Sequence, residues 1–111
     1  MNSLRKINAV EIEIIEYFVK MGYLQIASTW YETALIQPMN DGGMGSFLIL
    51  ENAVEVNENR KFGKQIGEYE FIDDDGIIVI VSLNVDQNNK LFEVDIWKTD
   101  YSPVITVKTL S

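Results

Sequence analysis

The chain has 111 residues, with 17 acidic against 9 basic side chains for a formal charge of −8, and it contains neither cysteine nor histidine. Those two absences exclude disulfide scaffolding, thiolate zinc sites and Ser-His-Asp or Cys-His catalysis within this chain; carboxylate pairs and oxygen-ligated Mg²⁺ or Ca²⁺ remain open. The acidic balance disfavours nucleic acid, whose phosphates it repels, and the longest apolar run, Ile77 to Val81, falls far short of the ~20 residues that span a bilayer.

The length suits one domain, residues 1–111, with enough chain to bury a core unaided. Acids inside the first apolar stretch, "MNSLRKINAVEIEIIEYF", argue against a cleaved signal peptide and for a cytoplasmic protein. Asn8-Ala9-Val10-Glu11 reads as a capping box, Ile7 and Ile12 have the spacing of a hydrophobic staple, and Gly22 marks the stop. Val10, Ile14, Ile15 and Phe18 form one apolar stripe, with Glu11, Glu13, Glu16 and Lys20 mostly off it, so an amphipathic helix covers about 8–21.

Between Tyr23 and Trp30 the pattern is mixed, and Leu24, Ala27 and Trp30 fit a short helical turn. A strand over 32–38 ends at Pro38, and "FLIL", Phe47 to Leu50, is the next. "NENRKFGKQ", Asn57 to Gln65, reads as an exposed polar loop. Then come strands over 66–72, 77–85 and 91–97, separated by the turns "DDDG" and "DQNNK". In the last strand Phe92, Val94 and Ile96 point one way and Glu93, Asp95 and Trp97 the other. Ile77 to Val81 is apolar on both faces, which predicts cover on both sides, and Ser102 to Leu110 adds a final strand or a short cover. The predicted class is α+β, an N-terminal amphipathic helix on an antiparallel β-meander of about five strands.

Three stretches are candidate sites. In "DGGMGS" the residues Asp41, Gly42, Gly43 and Gly45 could form a backbone anion nest, but no lysine or helix follows as a phosphate loop requires; a turn whose glycines permit positive φ is the competing reading. Asn84, Asp86, Asn88 and Asp95 fall at positions 1, 3, 5 and 12 of a calcium-loop count, yet position 6 is Asn89 rather than Gly and strands flank it, so a hairpin is expected and no metal or cofactor is assigned. "DDDG" reads as a solvated turn.

The third stretch is "LFEVDIWKTDYS". Glu93, Asp95 and Trp97 share a strand face, with Asp100 and Tyr101 following. This can be a patch for a basic protein partner, Trp being a favoured anchor. It can be a carboxylate pair for glycoside or metal-assisted chemistry. Or it can be a structural cluster in which Trp97 packs on Tyr69 or Tyr101 while Glu93 and Asp95 pair with Lys98, Lys64 or Arg60. From Ile66 to Asp100 nine acids face two lysines, a field that suits a basic partner and also serves solubility alone.

"MNDGGMGSF" together with "FGKQIGEYEFIDDDGIIVIVSLNVDQNNKLFEVDIWKTDYSPV" resembles a family of small uncharacterised bacterial domains of unknown function, whose members carry a DGGMGS turn, a D-x-DG turn and an FE-x-D-x-WK-x-D end. The resemblance covers about Glu11 to Val104 and implies a fold without an assigned activity. In size, acidity and style these domains are similar to immunity proteins that neutralise secreted toxins. The expected function is therefore an acidic binding protein, an immunity-type inhibitor of a basic protein rather than an enzyme. The alternatives are a small carboxylate-based enzyme and a homodimer or larger oligomer whose second copy covers Ile77 to Val81.

Overall fold

The computed structural model describes residues 4–50 and 60–109. Its helix α1, Ala9–Lys20, begins as the sequence predicts: Asn8 Oδ1 accepts from Glu11 N at 2.9 Å, and Glu11 Oε1 accepts from Asn8 N at 2.9 Å. Ile7 and Ile12 are both partly buried against the core. Ile14, Ile15 and Phe18 face inward, but Val10 is exposed and Glu11 takes the inward place expected of it. The buried positions 11, 14, 15 and 18 make a tighter stripe than one starting at Val10. Glu11 tolerates burial because Arg5, on the short strand β1 (Arg5–Lys6), donates to both its oxygens at 2.8 and 2.5 Å.

After Gly22 the chain runs to a single 3₁₀ turn, Trp30–Glu32, which takes up the start of the strand expected over 32–38. Trp30 is buried against α1, its indole N–H donating to Glu16 Oε1 at 3.0 Å. The remaining strands are β2 (Leu35–Pro38), β3 (Phe47–Leu50), β4 (Phe62–Ile72), β5 (Ile78–Asp86) and β6 (Leu91–Lys98). Among the described residues they form one six-stranded antiparallel sheet in the order β1-β2-β3-β6-β5-β4. Two runs of consecutive strands are thus joined at β3–β6, rather than one continuous meander of five.

β4 takes the edge, and its sequence explains why. Of the predicted loop Asn57 to Gln65, residues 57–59 lie outside the described residues, but Phe62 to Gln65 belong to β4. Register shifts occur between Phe62 and Lys64 and between Gln65 and Gly67. At Gly63 the backbone comes so close to the Asp86 carbonyl that any Cβ would land on that oxygen. Bulges and exposed polar side chains of this kind belong on an edge.

Strand pairing assigns the faces. Tyr69, Val81 and Ile96 lie in one cross-strand row and Leu83, Val94 and Phe47 in the next, all on the face covered by α1, where Phe18 packs on Tyr69 with ring centroids 5.8 Å apart. The tail forms no strand among the described residues. It straps the same face: Val104 and Val107 pack on the core, Lys108 O accepts from Tyr69 Oη, and Thr109 donates to Glu13. Among the described residues no helix or strap covers the other face. Val79 and Val81 are buried while Ile78 is 44% exposed and Ile80 half-buried, so among the described residues the cover predicted for both sides is present on one. No helix among the described residues is long and apolar enough to cross a membrane.

Candidate functional site: the sheet face opposite the helix

On the face opposite α1, Asn84 and Glu93 stand opposite each other, as do Ser82 and Asp95, then Ile80 and Trp97. β4 adds Glu68 opposite Ser82, Glu70 opposite Ile80 and Ile72 opposite Ile78, and β3 adds Leu48 opposite Glu93. The expected parity of β6 therefore holds for Glu93, Asp95 and Trp97 against Val94 and Ile96. Its first residue departs: a register shift between Asn84 and Val85 sets Leu91 opposite Val85 in the core. Phe92 is left half-buried, with the Arg60 guanidinium 5.0 Å above its ring.

Trp97 is 36% exposed and Tyr101 71%, their rings 5.8 Å apart. Ile72, Ile78 and Ile80 extend this apolar strip across β4 and β5, and Glu68, Glu70, Glu93 and Asp95 surround it. An exposed apolar cluster with a charged rim is the composition of an interaction surface. The strand positions of β4, β5 and β6 on this face, from Glu68 and Asn84 onward towards Trp97, carry no lysine or arginine. Tyr101 sits at φ 63°, a left-handed conformation that costs a non-glycine residue on the order of 1–2 kcal/mol. Asp100 holds the turn by accepting from Ser102 N at 3.0 Å and Ser102 Oγ at 2.6 Å, and those bonds keep its carboxyl below the ordinary range.

The carboxylates are not paired as the structural reading expected. Glu93 Oε1 accepts from Asn84 Nδ2 at 2.9 Å, and Asp95 Oδ1 lies 3.3 Å from Ser46 Oγ. Lys98 follows Ile96 by two and points to the covered face, fully buried. There it donates to Asp73 at 2.8 Å, Asp75 at 2.6 Å and Pro103 O at 3.2 Å. Arg60 pairs with Asp86 at 3.0 Å. Asn84 is 5% exposed, and its Oδ1 has no hydrogen-bond partner among the described residues.

"DDDG" is not a merely solvated turn, because Asp73 is buried. Its carboxylate accepts from Lys98, from its neighbour Asp74 N, and from Ile105 N and Thr106 N of the strap. Burial raises its carboxyl pKa, but the Lys98 bond and those three backbone N–H groups outweigh burial and hold it far below the usual range. The turn is thereby the anchor of the C-terminal strap.

In the glycine loop, Gly42, Gly43 and Gly45 all adopt positive φ, as the turn reading requires. The chain's own Asp41 fills the nest: it accepts from Met44 N at 3.1 Å, Gly45 N at 3.4 Å and Ser46 N at 2.9 Å. Burial pushes the Asp41 carboxyl up, and these bonds, Ser46 foremost, bring it below the ordinary value. An incoming anion would have to displace that carboxylate. Gly43 O accepts from Val104 N at 3.2 Å, so the loop also seats the strap.

Among the described residues no three acidic side chains are grouped to hold a metal ion. Sequence reasoning missed Ser82, weighed Asn84 only in a calcium-loop count and took Ile80 only as part of a doubly apolar strand, although the alternation Ile78, Ile80, Ser82, Asn84 against Val79, Val81, Leu83, Val85 places all three on the face of Trp97. No curated protein and no solved structure matches this chain. A family model, "Domain of unknown function", matches residues 4–108. The chain belongs to that family, DUF6984.

Proposed function

We propose that this protein is a binding module whose sheet face opposite α1 docks a basic protein partner. The observation that supports it most is the apolar strip of Ile72, Ile78, Ile80, Trp97 and Tyr101 set among Glu68, Glu70, Glu93 and Asp95. Trp97 and Tyr101 act as anchors, and the carboxylates steer a positively charged surface onto them. A strained backbone at Tyr101 that holds a large ring outward fits that role. A second copy is a poorer occupant, because a two-fold contact would set these carboxylates against each other. The biological form of this reading is an immunity-type inhibitor, working in the cytoplasm by covering the basic site of a toxin; its support is small size and acidity. No observation favours a carboxylate enzyme over this reading.

The test is capture on the immobilised chain at about 0.1 and 0.5 M salt, since screening shortens the Debye length over that range. The expected result is a basic protein retained at the lower salt and lost at the higher, and lost also from Trp97→Ala. Capture that ignores both salt and Trp97→Ala contradicts the reading. A chain that retains only itself, with a doubled mass in sedimentation, replaces it with the oligomer.

A further inference from the structure

The partner's chemistry can be specified further, on the proposed docking face. We infer that Asn84, Glu93 and Asp95 form the seat for an arginine side chain of the partner.

Asn84 and Glu93 are direct cross-strand neighbours, and Asp95 is two residues further along β6 on the same face, beside Trp97. The Asn84 amide is oriented by Glu93: Nδ2 donates to Glu93 Oε1 at 2.9 Å, which turns Oδ1 away as a second acceptor. A flipped amide would set two oxygens together, so the orientation is fixed. Oδ1 is then a buried acceptor without a donor among the described residues. A buried acceptor that lacks a donor within the chain takes one from a water, an ion or a second molecule.

The missing donor must carry positive charge and several N–H groups. Glu93 and Asp95 each have an oxygen to which no described donor is assigned, and both stand on the same face of the sheet as Asn84, Glu93 leaning towards β5 and Asp95 towards Ser46. A guanidinium presents five N–H donors in a planar fork, enough for Asn84 Oδ1 and both carboxylates together. Its methylene stem can run towards Trp97, two positions beyond Asp95 on the same face. An ammonium group offers three donors from a single point and reaches fewer of these acceptors. Gln65, directly across from Asn84 on β4, is exposed and flexible, so it can swing aside for entry while Glu93 holds the amide.

The experiment uses nona-arginine, nona-lysine and nona-citrulline peptides titrated into the full chain, read by amide and side-chain N–H resonances. Nona-arginine is expected to shift the Asn84 side-chain and Trp97 indole signals and to bind at least about tenfold more tightly than nona-lysine, with nona-citrulline inert. Asn84→Ala and Glu93→Gln should each erase the arginine preference; Glu93→Gln keeps the side-chain length and guards against a folding defect, checked by its melting temperature. Equal binding of both cationic peptides, sensitive to Trp97→Ala but not to Asn84→Ala, overturns the arginine seat and leaves the docking face standing. Absence of any response to either cationic peptide overturns both. A response of Asn84 to Ca²⁺ alone also overturns the seat, in favour of a cation site.

Discussion

Replacing Ser46 with alanine tests how the glycine loop is fastened to the sheet. β3 pairs with β6 only at Phe47 with Val94 and at Leu48 with Glu93. One step on, the Ser46 side chain continues the contact: its Oγ accepts from Ile96 N at 2.8 Å, and its own proton faces Ile96 O at 3.2 Å. Ser46 is buried, so Ser46→Ala leaves the Ile96 N–H without an acceptor and without water. An unsatisfied buried donor costs about 1–3 kcal/mol, and the lost hydroxyl bond about another 0.5–1.5, for a total of roughly 3 kcal/mol. At about 4 °C per kcal/mol for a domain of this size, the melting temperature should fall by roughly 12 °C. Urea unfolding gives the free energy independently, and Asp95→Asn serves as the control, since it leaves the bond from Ile96 N intact. A loss of less than about 0.5 kcal/mol, the scatter of ordinary surface substitutions, would refute the claim that Ser46 stands in for a backbone partner.

Other expectations follow from the same contacts. Asn8→Ala should cost about 1 kcal/mol in urea unfolding, because it removes the acceptor for Glu11 N while Glu11 stays buried. Gly63→Ala should destabilise by about 1–3 kcal/mol or shift the β4–β5 register, visible in cross-strand proton contacts, since the new methyl meets the Asp86 carbonyl. Asp41, Asp73 and Asp86 all have carboxyl groups held below their unfolded value, so their contribution is complete at neutral pH. It drains away as pH falls below about 4 and through the folded values. Urea midpoints at pH 7, 4 and 3 should therefore decline in order, and Lys98→Met should lower the midpoint at pH 7 by leaving Asp73 buried without its cation.

Much of the architecture was legible because it rests on local chemistry. The capping box, the staple and the turns at "DDDG" and "DQNNK" are set by neighbours in sequence, and side-chain parity in β6 placed Trp97 outward with Glu93 and Asp95. What stayed hidden depends on pairing across the chain. Nothing near Val10 reveals that Arg5 would escort Glu11 inward. The glycine bulges of β4 read as loop because an edge strand lacks the alternation of an inner one. Lys98 could have been placed from its parity with Val94 and Ile96, but its partners Asp73 and Asp75 lie in another hairpin. The orphan oxygen of Asn84 emerges only when β5 is set beside β6.

The most direct test of the docking face is the association rate of the captured partner, measured against ionic strength for the parent chain and for Glu93→Gln/Asp95→Asn. The account predicts a rate that falls steeply with salt in the parent and is slower and flatter in the double variant, with melting temperatures of the two chains close together. A rate indifferent to salt and unchanged by the double variant would mean that recognition happens elsewhere on the molecule.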